Sequence, residues 1–314
     1  MRTSIFLFVF LMVNILQAQT VIESSAPVND FIIDGNEIIV ATTKGTVDVY
    51  DITSKKLLRS VKFDKTIDFA GDLFDTEVFK VVKVGNTIIA VTRGENGFND
   101  VYAIINDQKE IIIPGNRINS VIVSIAVSDD NNLLLGLLSN ELLKYDIINN
   151  EIIFREQISN YAFSAMCIDS KGEYLYVTDE SGEVHKVESS SGNVLSNYKG
   201  QNVDNVLCID YSSGIIVCGG KDRRISTYNT LLNRDSHFDT GKFITTIAIS
   251  PSGKRIAWYD TDTDNVELAW LANPSGVTQL IKHKSMVNKI VFTSETTLVS
   301  AGIDNKIVFW NLNK

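Results

Sequence analysis

The stretch TLVSAGIDNKIVFWN, residues 297–311, holds two short apolar runs around a tight polar turn. TLVSAG and KIVFWN are rich in β-branched and aromatic residues, and the IDN between them supplies turn chemistry. A hairpin is expected, and the sequence stops three residues later, at Lys314. A strand edge left bare invites uncontrolled pairing, so something else must cover KIVFW. What covers it decides the architecture.

Upstream, the same pattern recurs: a small turn, alternating apolar residues, then an anchor that is usually aromatic. It ends at Tyr50, Tyr102, Tyr145, Val187, Tyr228, Trp270 and Trp310, with separations of 52, 43, 42, 41, 42 and 40 residues. Seven units of about 40–45 residues have the length of four-stranded propeller blades. Two further apolar runs precede each anchor, such as FSAMCID and EYLYVTD in the fourth unit, ITTIAIS and RIAWYD in the sixth. A less regular fourth run follows, such as KKLLRSVKF. Runs apolar on both faces suit sheets sandwiched between neighbouring sheets. The expected fold is therefore all-β: a seven-bladed β-propeller of four-stranded antiparallel blades over residues 19–314. The last unit lacks its fourth strand, and TVIESS, residues 20–25, is expected to supply it by pairing with residues 307–310. That closes the ring and removes the bare edge.

The last unit, HKSMVNKIVF followed by LVSAGIDNKIVFWN, resembles a WD repeat. The resemblance implies a structural hydrogen-bond network among His283, Ser300, Asp304 and Trp310. The other units match more loosely; the fifth keeps a turn aspartate, Asp222, and none keeps the histidine. YLYVTDESGEVHKV is also similar to surface-layer and quinoprotein propellers.

The N-terminus has Arg2 ahead of an apolar stretch of twelve residues, 5–16, broken only by Asn14, and then the small Ala18. Twelve residues fall short of the ~20 a helix needs to span a bilayer, so residues 1–18 are expected to be a secretory signal peptide. The protein is then periplasmic or secreted, with no membrane association after cleavage. Outside the cytoplasm a disulfide is permitted. Cys208 and Cys218 lie on two arms of one expected hairpin, and one residue of register decides whether they face each other. With a net charge of −9 the chain repels phosphate backbones, so no nucleic-acid partner is expected. The single basic cluster, KDRR at 221–224, sits between two apolar runs and has the character of a solvated turn.

The inventory for catalysis is thin. There are three histidines, and the chain has no zinc-type pairing, haem-attachment motif, phosphate loop or nucleophile elbow. No enzyme activity, cofactor or metal is expected. The nearest approach to a metal site is Asp260, Asp262 and Asp264, which alternate like the first half of a calcium loop. Asn265 replaces the turn glycine and Leu271 the bidentate glutamate, so an exposed acidic turn is the competing reading.

Extra length lies in FDKTIDFAGDLFDTEVF, residues 63–79, where Asp68, Phe69, Asp72, Phe74 and Asp75 interleave, and in RGENGFND, residues 93–100, with Phe98. Aromatics ringed by carboxylates suit a protein partner of basic or mixed charge; the alternative is that the phenylalanines cap a loose second blade. The chain is expected to be a monomeric, non-catalytic scaffold. An undecorated WD-like propeller behind a signal peptide resembles the accessory proteins encoded beside periplasmic redox enzymes. The WD-repeat accessory protein of the periplasmic nitrate reductase system is the specific likeness. The alternative class is a propeller enzyme or ligand carrier, lactonase-like or quinoprotein-like.

Overall fold

A computed structural model describes residues 18–67, 71–129, 131–232 and 234–313. Residues 1–17 of the expected leader, together with Asp68 and Phe69, lie outside this set. Seven four-stranded antiparallel sheets follow one another along the chain. Blades 1 to 6 each use four consecutive strands: residues 28–62, 78–113, 122–157, 163–198, 206–239 and 247–280. Blade 7 takes three strands from its own segment, Val287–Ser294, Thr297–Gly302 and Lys306–Asn311. Its outer strand is Ala18–Glu23, paired Val21 to Val308 and Ile22 to Ile307. The ring closes where the sequence required it.

Seven apolar clusters hold the ring, one at each seam between neighbouring blades. Trp310 joins Leu268 and Leu280 of blade 6, and Ile22 joins Phe31 and Tyr50 of blade 1. Because each sheet is covered on both faces, the middle strands are apolar throughout, as in Ile39, Val40 and Ala41. Polar side chains stitch the inner strands. Asn29 donates to Val78 O at 2.9 Å, Asn288 to Val28 O at 2.8 Å, and Asp30 accepts from Val81 N at 3.0 Å.

One hydrogen bond repeats in all seven blades, from the residue at or just past the end of the second strand to the carbonyl before the inner strand. Its members are Thr43 to Pro27, Arg93 to Glu77, Leu138 to Val121, Glu180 to Ala162, Lys221 to Asn205, Tyr259 to Thr246 and Ile303 to Met286. These bonds lie on one face of the ring, termed upper. There the second-to-third-strand turns meet the connections between blades. The lower face carries the other turns.

The ladders correct two of the seven anchors. Trp310 pairs with Leu298, and the matching position in blade 2 is Ile104, opposite Ile88, so Tyr102 stands two residues too early. In blade 6 the matching position is Ala269, opposite Ile256, and Trp270 lies one residue past it. The turn ahead of that strand holds one more residue than in blade 7. A slip of one sends a side chain to the other face. Trp270 is accordingly 52% exposed, stacked by the Arg255 guanidinium at 4.9 Å, whereas Trp310 is 1% exposed. The same rule separates the thiols: Cys218 faces Ile209 and Cys208 faces Gly219, and all three cysteines are free.

Candidate partner-binding rim

The WD-like network is assembled as a chain of donors. Trp310 Nε1 donates to Ser300 Oγ at 2.8 Å, and His283 Nε2 lies 2.8 Å from the same oxygen. His283 Nδ1 is 3.0 Å from Asp304, which also accepts from Lys284 N and Lys306 N. Burial alone would raise the Asp304 pKa; the bonds and charge from His283 prevail and lower it. Blade 5 rebuilds this device with other side chains. Asp222 takes Val203 N at 3.0 Å and Arg224 N at 3.1 Å, Asn202 stands where His283 does, and Tyr228 Oη donates to Asn202 at 3.3 Å. Cys218 occupies the Ser300 position.

Two further networks escaped the sequence because their acids sit outside the turn. In blade 4, Asp179 at the end of the second strand accepts from Ser159 at 2.5 Å, Asn140 of blade 3 at 3.2 Å, and His185 Nε2 at 2.9 Å. His185 Nδ1 faces Asn197 Oδ1 at 3.1 Å. In blade 1, the buried Asp48 lies on the third strand and accepts from Ser60, Ser25 and Tyr50. The available signal was a lone acid inside an apolar alternation, TVDVYD, since an acid is buried only when its oxygens are satisfied.

The two insertions converge. Residues 63–67, with Phe74 and Thr76, face the 93–97 loop across a cleft of about 1080 Å³ on the upper rim, floored by Tyr102 and Lys109 of blade 2. Phe63 is buried and meets the Tyr102 ring edge-on at 5.0 Å. Lys109 lies over Phe63 and bonds Asp64 at 2.9 Å, which holds that carboxyl below its usual range. Asp75 pairs with Lys44 at 3.2 Å. The insertion returns to the ring at Thr76, whose carbonyl sits so close to Gly45 that a Cβ there would meet it at 2.8 Å. Gly45 also has φ +75°, so glycine is required on both counts.

Among the described residues, Phe74 and Phe98 do not form the exposed part of this rim. Phe74 is half-buried with the Arg93 guanidinium 5.2 Å over its ring, and Arg93 is anchored to Glu77 at 2.8 Å. Phe98, expected to stand out, is half-buried against Gly115. Residues directly opposite in a ladder share a face, so when Phe74 and Thr66 turn inward, Ile67 and Leu73 turn out together. They are 62% and 64% exposed. Asp72 is exposed just before Leu73.

The three aspartates of the calcium-like stretch do not converge. Asp260 is buried, not exposed, and its carboxylate holds Lys242 Nζ at 2.6 Å; Asp262 approaches the same lysine at 3.7 Å. Asp264 instead accepts from Tyr259 Oη. An ammonium thus stands where a cation would, and among the described residues no group of three metal-ligating side chains occurs. The central channel, about 610 Å³, is lined by the inner strands of all seven blades, where aliphatic side chains alternate with polar ones such as Asp30, Lys80, Asp210 and Lys289. Its carboxylates at Asp30 and Asp210 are engaged by backbone N–H groups of the next blade, Asp210 by Ile249 at 2.9 Å. Burial pushes Asp210 up to about 6.

No family model matches this chain. It is 24% identical over 314 aligned residues to actin-interacting protein 1 of Caenorhabditis elegans, a WD-repeat protein, covering 94% of this chain and 47% of that one. The chain thus spans about half the length of that relative. A chain in the crystal structure of the mitotic checkpoint complex superposes with a TM-score of 0.75 at 17% identity, covering 100% of this chain and 97% of the other. That likeness is one of fold. Taken with the His283–Ser300–Trp310 network, the two comparisons support a seven-bladed propeller of the WD40 type.

Proposed function

We propose that the protein is a monomeric, non-catalytic scaffold that holds a partner protein against the upper rim of blades 1 and 2. One observation carries this reading: two separate insertions build a single cleft, and beside it the paired Ile67 and Leu73 stand in solvent. Burying such a pair on a partner recovers roughly 25 cal/mol per Å² of apolar surface. Asp64, Asp72 and Asp75 around it favour a partner of basic or mixed charge. The channel presents no histidine, and its acids are spent on joining blades.

The setting we propose is outside the cytoplasm, on the strength of residues 1–18 alone. Its narrower form, an accessory or maturation factor for a periplasmic redox enzyme such as nitrate reductase, rests on the expected leader and the propeller fold, and is tested by co-purification with the enzyme. The rim itself is tested by pull-down. A partner recovered by wild type and by a lower-face control, Leu231→Ser, is expected to be lost with Ile67→Ser/Leu73→Ser. Equal recovery by all three sinks the rim.

A further inference from the structure

The upper face carries a second patch, of opposite charge, three blades further round. It lies on KDRR, residues 221–224, the turn between Ile215–Gly220 and Arg224–Asn229 of blade 5. Half of this cluster is structural. Asp222 is consumed by Val203 N, Arg224 N and Asn202, and Arg224 pairs with Asp239 at 3.4 Å while reaching Gln201 O at 3.2 Å. Lys221 and Arg223 differ. Both are exposed, and among the described residues neither has an ion-pair partner.

Arg223 takes φ +65° at the turn, and its carbonyl accepts from Thr240 Oγ1 at 2.8 Å, tying the turn to the segment that enters blade 6. That segment delivers Phe243, 47% exposed, with the Arg223 guanidinium 5.5 Å from its ring centroid. On the other side Val203 is 66% exposed and fixed by its N–H to Asp222. Solvation explains two free cations in a turn, but not a half-exposed aromatic and an exposed valine held against them. Even in a chain of net charge −9, two unpaired cations side by side attract carboxylates, and they steer an acidic partner to that spot. Phe243 and Val203 supply what charge lacks, an apolar anchor able to hold the encounter.

We infer that the upper face of blades 5 and 6 docks an acidic peptide segment of a partner protein. Its carboxylates meet Lys221 and the fork of Arg223, and an aromatic or aliphatic side chain between them packs on Phe243 and Val203. This surface is distinct from the blade 1–2 rim, so one partner with both acidic and basic stretches can straddle the ring.

Fluorescence anisotropy with a labelled synthetic peptide of Asp and Glu around one Phe and one Leu tests this. Wild type is expected to bind, more weakly as salt rises from about 50 to about 300 mM. Lys221→Glu/Arg223→Glu is expected to lose about tenfold or more in affinity; Lys221→Ala/Arg223→Ala replaces it should the reversal misfold. Phe243→Ser should weaken binding with an unchanged melting temperature, and Ile67→Ser/Leu73→Ser should leave it unchanged, separating this surface from the rim. The inference is overturned by absence of binding at millimolar protein, by equal affinity of the charge variants, by equal affinity for the Asn/Gln version of the peptide, or by preference for a labelled oligothymidylate.

Discussion

Ile22 lies directly across from Ile307, so the last ladder of the ring is made by the two ends of the described chain. Six blades complete themselves locally, whereas blade 7 depends on a strand that precedes blade 1. Deleting residues 19–26 is expected to lower the thermal midpoint of the entire ring in one transition. Ile22 is fully buried, and Ile22→Ala should cost about 2–5 kcal/mol in denaturant unfolding. A truncated protein that melts like the full chain would refute this closure.

Ser300 is the shared partner of His283 and Trp310, and all three are buried. Ser300→Ala leaves two ring nitrogens without a partner, which should cost about 1–3 kcal/mol. A double-mutant cycle with Trp310→Phe measures it: the coupling is expected to be well above zero, and additive losses would show that the hydroxyl does not link the pair.

Trp270 and Trp310 occupy similar places in the sequence repeat and opposite environments in the ring. Trp310→Ala is expected to cost about 3–5 kcal/mol and Trp270→Ala less than about 1 kcal/mol. Acrylamide quenching should fall sharply when Trp270 is replaced and barely change when Trp310 is replaced by Phe. The reverse pattern would overturn the blade 6 register.

Asp179 and His185 make stability depend on pH in opposite senses. Burial alone would raise the Asp179 pKa, but bonds from His185, Ser159 and Ser181 hold it at about 2, below its ordinary 3.8. Its stabilisation is present above 3.8 and disappears as pH falls through 2. Burial would lower His185, yet bonding to Asp179 and Asn197 raises it above 6.5. Its contribution is complete below 6.5 and fades as pH climbs past the raised value. The unfolding free-energy gap between wild type and Asp179→Asn should therefore be largest between pH 4 and 6.5, shrinking on both sides. A gap constant from pH 2 to 8 would dismiss the pair as a titrating element.

The sequence reading captured what repetition encodes. Blade number, closure by an N-terminal strand and the strand identity of each run follow from spacing and from two-sided apolar runs, which depend little on detail; the closing strand is Ala18–Glu23, two residues ahead of the expected 20–25. Register is encoded more weakly. Tyr102 and Trp270 look like anchors because an aromatic ends each run, but the extra residues in the turns before their strands shift them, and only the ladder shows it. Polar networks were legible in blade 7, where four residue types coincide. They were illegible in blade 4, where His185 reaches Asp179 from the third strand rather than from ahead of the inner one. At the rim, the expansions were visible as length. That Phe74 would turn inward under Arg93 and expose Ile67 and Leu73 depends on a two-residue ladder, too short to leave a periodic trace.

The outer position of Ala18–Glu23 also fixes an orientation. Ala18 pairs with Trp310, at the lower end of blade 7, and Glu23 with Lys306, at the upper end. Anything joined ahead of Ala18 therefore leaves from the lower circumference, while both proposed docking surfaces look the other way. Immobilising the protein through an N-terminal tag would present them to solution, much as a dish mounted from behind keeps its open side clear.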